Sequence, residues 1–184
     1  MTRRELLSIV DCSKDPKALL RHLQRYLETV SNKKRVAVFD IDDTLLSSRD
    51  DESICVHPVG RFLFDTCLRL NIRVVLVTAR QGSPTSLKYC RQQLAALHYN
   101  GFDRLYMQSK EDTDTAQYKA RVRREVAREL GDVILNCGDQ LSDLTCQRED
   151  DTNYIRSNLS KHTYYVLRLP HDPAKLSVKF EEMS

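Results

Sequence analysis

The chain lacks any apolar run approaching the ~20 residues that a bilayer crossing needs, which excludes a membrane-spanning helix. Glycine and proline are scarce, 5 of each in 184 residues, and 41% of the residues are hydrophobic. A collagen, a mucin-like stalk and a disordered tail are thereby excluded. Net charge is scarce too. Lys and Arg number 29 against 26 Asp and Glu, a balance of +3 spread along the chain, so nothing argues for nucleic acid or an acidic membrane surface as partner. The six cysteines are scattered, with no CxxC and no Cys–His pair at zinc spacing, and none of the five histidines has a ligand-spaced partner. In the opening residues MTRRELLSIVD, Asp11 ends the apolar patch too early for a signal-peptide core. The expectation is an intracellular, cytoplasmic protein with free thiols.

What the chain does have is an alternation of hydrophobic runs with helical patterns. At ~150 residues per domain, the length favours one domain over residues 1–184. Asp15-Pro16 is a helix start, and Leu19, Leu20, Leu23, Tyr26, Leu27 and Val30 continue at helical spacing, so a helix is expected over about 16–31. Lys34 to Asp40 and Ile72 to Thr78 are short β-branched runs of the kind that form buried strands. Further strands are expected at 104–108, 132–137 and 163–169, with helices at 58–70, 84–97 and 115–130. Continuous apolar strands separated by helices predict an α/β fold: a Rossmann-like parallel sheet with helices on both faces. In such sheets ligands bind beyond the carboxyl ends of the strands.

Carboxylates gather at those ends. The first strand runs into Asp40-Ile41-Asp42-Asp43-Thr44, where alternation along an extended chain sends Asp40 and Asp42 to one side. Two carboxylates at the mouth of a buried sheet repel unless a metal ion or a proton resolves the conflict. The second strand ends in Thr78-Ala79-Arg80, a hydroxyl followed by backbone N–H groups that can hold a phosphoryl oxygen. The fourth ends in Gly138-Asp139-Gln140-Leu141-Ser142-Asp143, and Lys119 lies near the start of the helix before it. Each feature alone has a plainer reading: an acidic turn, a strand-ending threonine, a helix-start charge, a surface lysine. Together they balance, since Asp40, Asp139 and Asp143 bring about −3 and a phosphomonoester about −2. Mg²⁺ and one lysine are the natural counter-charges.

Asp40-x-Asp42-x-Thr44 after an apolar strand resembles the first motif of the haloacid dehalogenase (HAD) superfamily of aspartate-nucleophile phosphatases. Thr78 matches its second motif, Lys119 the third, and Gly138-Asp139-x-x-x-Asp143 the fourth, in order across residues 34–143. Tyr118-Lys119-x-x-x-Arg123 followed by Cys-Gly-Asp-Gln-Leu-Ser-Asp-Leu is similar to the acid phosphatase branch, which includes plant vegetative storage proteins. The resemblance implies that Asp40 attacks phosphorus to form an aspartyl phosphate, and that Asp42 is general acid, then general base. It implies Mg²⁺ held by Asp40, the Asp42 carbonyl, Asp139 and Asp143. It also implies that Thr78, Lys119 and the backbone N–H groups of Ile41, Asp42 and Ala79 hold the phosphoryl oxygens.

The chain departs from the family in two ways. Only residues 45–57 separate Thr44 from Pro58, and the stretch from Arg80 to Lys119 is already spent on a helix and a strand, so no cap domain is expected. Residues 45–56 also contain no aromatic that could stack on a nucleotide base. The expected activity is a Mg²⁺-dependent phosphomonoester hydrolase whose phosphorylated substrate is unspecified. Its rivals are a phosphatase for a phosphoprotein or nucleic-acid end, a non-catalytic binding or storage relative, and a signalling domain that keeps its aspartyl phosphate. Without a cap, a homo-oligomer could supply the missing substrate contacts, with Arg80 and the 45–57 loop as the nearest groups in the chain itself.

Overall fold

Among the described residues the main sheet has five strands, all parallel, in the order β5-β4-β1-β6-β7. The strands are β1 (Arg35–Phe39), β4 (Arg73–Gln81), β5 (Arg104–Gln108), β6 (Asp132–Cys137) and β7 (Val166–Leu167). Between β1 and β4 come β2 (Leu46–Ser48), β3 (Ile54–Val56) and helix α1 (Pro58–Arg69); α2 (Pro84–Ala96) follows β4, and α3 (Thr115–Glu129) follows β5. This computed structural model describes residues 34–48, 54–138 and 141–143, with the separate positions 28, 166 and 167. The expected helix at 16–31 falls outside the described residues apart from Glu28, which is helical.

The strands alternate as a sheet covered on both faces must. Ala37 and Phe39 of β1 and Val74 and Leu76 of β4 join Leu63, Phe64, Cys67, Cys90 and Leu94 in one core, against α1 and α2. Val36, Val38, Val75, Val77 and Val133 face the other way, onto Tyr118, Val122 and Val126 of α3. Those three recur at i, i+4 and i+8, one stripe of the helix, and Lys119 and Arg123 flank the same stripe and are buried with it. Each helix starts on its own sequence signal: His57 caps α1 ahead of Pro58, Ser83 caps α2 ahead of Pro84, and Asp114 accepts from the Ala116 and Gln117 N–H groups at the head of α3.

The chain runs outward from β1 through β4 to β5, then returns by α3 to β6 on the far side of β1. The order reverses at β1, so the crevice beyond its carboxyl end is the topological switch point. No inserted domain stands among the described residues between β1 and α1 or between β4 and α3.

Two expectations need correction. Residues 45–57 are more than a loop: Leu46–Ser48 and Ile54–Val56 pair antiparallel, Ser47 opposite Cys55. Strand β4 also continues past Thr78 to Gln81, with a register shift against β5 between those two residues. A bulge there turns the strand without ending its pairing.

Candidate active site

The turn after β1 is fixed from both sides of the chain. The Asp40 N–H donates to the Cys137 carbonyl at 2.9 Å, extending the β1–β6 ladder by one rung. The Ile41 carbonyl then accepts from the Leu45 and Leu46 N–H groups, both at 2.9 Å. The Tyr99 hydroxyl donates to the Leu45 carbonyl at 2.7 Å. Asp43 takes a positive φ of 55°, a conformation that aspartate tolerates in turns. Gly60 of α1 lies so close that a Cβ there would overlap the Thr44 carbonyl. Thr44 is wholly buried, and its Oγ1 has no hydrogen-bond partner among the described residues.

This turn delivers Asp40 to Lys119. Lys119 is only 4% exposed, and its ammonium donates to Asp40 Oδ1 at 2.7 Å and to Asp143 Oδ1. All three side chains are buried. Burial alone pulls the Lys119 amine down, but the charges of Asp143 and Asp40 more than reverse this, leaving it above the ordinary lysine value. Lysine 119 is thus no surface charge on a basic helix but the cation between two carboxylates from different strand ends. Asp143 sits in a single 3-10 turn, Leu141–Asp143, whose Ser142 carbonyl accepts from Arg123 Nη1 at 3.1 Å. A Cβ on Gly138 would overlap the Asp143 carboxyl group, so only glycine lets this turn close. Asp139 lies outside the described residues.

Asp42 has a partner of its own. Its carboxylate meets Arg80 in a two-pronged pair, Nε to Oδ2 at 2.8 Å and Nη2 to Oδ1 at 2.5 Å. Arg80 Nη1 donates to Gln93 Oε1 at 2.6 Å and lies 3.6 Å from Cys90 Sγ, both on α2. The hydrogen bond that Arg80 donates to Asp42 raises the Arg80 pKa, against the lowering effect of burial. Thr78 is buried, its Oγ1 accepting from the Arg80 N–H at 3.2 Å, and Ala79 is exposed beside it. Of the residues singled out in sequence, Asp40, Lys119 and Asp143 come together directly, and Asp42 and Thr78 come together through Arg80. Gln93 was missed. Its signal was a polar residue between Cys90 and Leu94 on the inward stripe of α2.

A scan against family models matches residues 60–170, more than half of the chain, to the acid phosphatases of HAD superfamily subfamily IIIB. The chain belongs to that family. Membership supports phosphatase activity, and HAD phosphatases generally use a divalent metal. No curated protein matches the sequence. The matched segment holds Thr78, Lys119, Asp139 and Asp143 and begins after Asp40 and Asp42, so the first strand end rests on its geometry. Among the described residues no three His, Cys, Asp or Glu side chains gather closely enough to hold a metal ion. Asp40 and Asp143 nevertheless offer hard oxygen donors, and two carboxylates against one ammonium leave a negative charge, so the donor set fits a hard divalent cation. Also among the described residues, no helix is long and apolar enough to cross a membrane, and Cys55, Cys67, Cys90 and Cys137 are in no disulfide.

Proposed function

We propose that this HAD-family chain is a Mg²⁺-dependent phosphomonoester hydrolase working through an aspartyl phosphate on Asp40. The observation that carries the reading is the buried Lys119 ammonium joining Asp40 to Asp143 at the switch point of the sheet. A lysine and two aspartates from three separate segments would not be desolvated together without compensation, because uncompensated buried charge costs several kcal/mol per ion. Phosphoryl transfer needs this kind of positioned charge.

In the proposed reaction an Asp40 carboxylate oxygen forms a bond to phosphorus while the ester P–O bond breaks. The electron pair leaves with the ester oxygen, which takes a proton from the Asp42 carboxyl group. Water then attacks the phosphorus of the aspartyl phosphate and gives a proton to Asp42, and the Asp40 oxygen leaves. One ester and one water become one alcohol and one phosphate, and both aspartates are restored. Thr78, Lys119 and the backbone N–H groups of Ile41, Asp42 and Ala79 hold the non-bridging oxygens, so charge is met where it develops. Mg²⁺ would be held by Asp40, the Asp42 main-chain carbonyl, Asp139 and Asp143, and when bound supplies counter-charge to the phosphoryl oxygens.

The lack of an inserted domain among the described residues favours a bulky phosphorylated substrate, such as a phosphoprotein or a nucleic-acid end, within the same chemistry. A screen of phosphorylated metabolites, nucleotides, phosphopeptides and phosphorylated oligonucleotides with Mg²⁺ tests both readings. Phosphate release that Asp40→Asn abolishes is expected; no release from any class would contradict the reading.

A further inference from the structure

The two-pronged Asp42–Arg80 pair is unusual in its setting. Asp42 is 53% exposed on a turn, where a carboxylate would ordinarily sample several rotamers, and a simple exposed ion pair would do little to stop it. Here both oxygens are engaged by the planar fork of one guanidinium, a geometry that fixes orientation as well as distance. The fork is itself fixed. Gln93 Oε1 holds Nη1 at 2.6 Å, Cys90 Sγ lies on the same nitrogen, and the Arg80 main chain is tied to Thr78 Oγ1. Nε, Nη1 and Nη2 all carry partners, so the arginine has little left with which to grip a substrate. Asp40 has a separate partner in Lys119. The two aspartates of one motif are thus aimed by two independent devices, one from α3 and one from the β4–α2 unit.

We infer that Arg80, braced by Gln93, is the positioning residue that aims the Asp42 carboxyl group at the ester oxygen, and that it serves departure of the leaving group more than binding of the phosphoryl group. The assignment rests on the phosphatase reading above and adds to it a role for two residues outside those matched to the four motifs. It has a consequence that packing alone would not produce. Protonation by Asp42 matters for a poor leaving group and hardly at all for one that departs readily as an anion. Loss of the device should therefore make the enzyme selective for good leaving groups.

The experiment compares kcat/KM for methyl, phenyl and p-nitrophenyl phosphate with Mg²⁺ in the unaltered chain, Arg80→Met, Arg80→Lys and Gln93→Leu, because kcat/KM reports the steps through phosphoryl transfer. A positioned general acid contributes about 10²–10⁴-fold. Arg80→Met is expected to lose about 10²-fold more on methyl phosphate than on p-nitrophenyl phosphate, and Gln93→Leu to show the same trend more weakly. Arg80→Lys, a point charge without the fork, should restore only part of the methyl phosphate rate. Should Arg80→Met fail to fold, Gln93→Leu and Arg80→Lys carry the same comparison. An equal loss on all three esters would overturn the assignment and make Arg80 a phosphoryl contact or a structural strut; so would no loss at all. An unaltered chain that releases phosphate from none of the three, and from no phosphopeptide, nucleotide or phosphorylated oligonucleotide either, would overturn the phosphatase reading, and this assignment with it.

Discussion

At the scale of single residues, the site is a balance of buried charge. Asp40→Asn keeps the shape of the proposed nucleophile and removes the charge with which it would attack. It should lower turnover by at least about 10³-fold, ~4 kcal/mol of barrier, while circular dichroism and melting stay close to wild type. Residual activity within about tenfold would remove Asp40 from the nucleophile's role. Lys119→Met strands two buried carboxylates without their shared cation, which costs roughly 3–5 kcal/mol, to be read from denaturant melts, whereas Asp40→Asn leaves Lys119 still paired with Asp143. The pH dependence has a definite sign. Because the Lys119 amine is raised above its ordinary value, its contribution is complete below 10.5 and is lost only as pH climbs through the raised value. The stability gap between wild type and Lys119→Met should therefore not shrink through lysine titration between about pH 7 and 10. A gap that closes on approaching pH 9 would mean that Lys119 is not held by these carboxylates.

Secondary-structure elements place these residues, and their joints can be tested. Gly138 follows β6, and a Cβ there overlaps the Asp143 carboxyl group, so Gly138→Ala must displace Asp143 from Lys119. Activity and activation by Mg²⁺ should fall by about 10²-fold, the scale of a misplaced catalytic contact. An unchanged Mg²⁺ titration would show that Asp143 has no need of its present position. The bounds of β1, β5 and β6 were legible in sequence because buried strands are short runs rich in apolar residues, and all three appear within about a residue of where VAVF, RLYMQ and DVILNC place them. That Lys119 and Asp143 belong near one site was suggested only by motif order, and their contact was not foreseen, since nothing local tells a buried helical lysine from a surface one. The β2–β3 hairpin was not legible. Its strands are 3 residues each, and LSS and ICV are too short to show alternation. The extension of β4 to Gln81 was hidden by the change from apolar Val77 to polar Thr78-Ala79-Arg80, which reads as a strand end. The Arg80–Gln93 brace joins two elements, and pairings of that kind leave no periodic trace.

For the whole molecule, a sheet mouth with no inserted domain among the described residues leaves the non-reacting part of a substrate with few contacts. Binding energy from that part is what raises turnover on the right molecule. Small aryl and alkyl phosphates should be hydrolysed broadly and slowly, with kcat/KM below the ~10⁴ M⁻¹s⁻¹ at the low end for enzymes. An efficient substrate should be large or held across a subunit interface. A monomer that turned over one small phosphorylated metabolite at ~10⁶ M⁻¹s⁻¹ and rejected its analogues would contradict this open-site view. Chelation should remove activity and Mg²⁺ restore it, while Ca²⁺, with looser and higher coordination, should inhibit. Full activity in excess chelator would end the metal assignment. The central claim is the covalent intermediate, and the most direct measurement is the mass of the protein acid-quenched during turnover of a phosphate ester, followed by peptide mapping. The account predicts a single phosphoryl group on Asp40, accumulating further in Asp42→Asn, where hydrolysis of the intermediate is slowed. Steady hydrolysis with no phosphoryl group on the chain, or with one on any other residue, would contradict it.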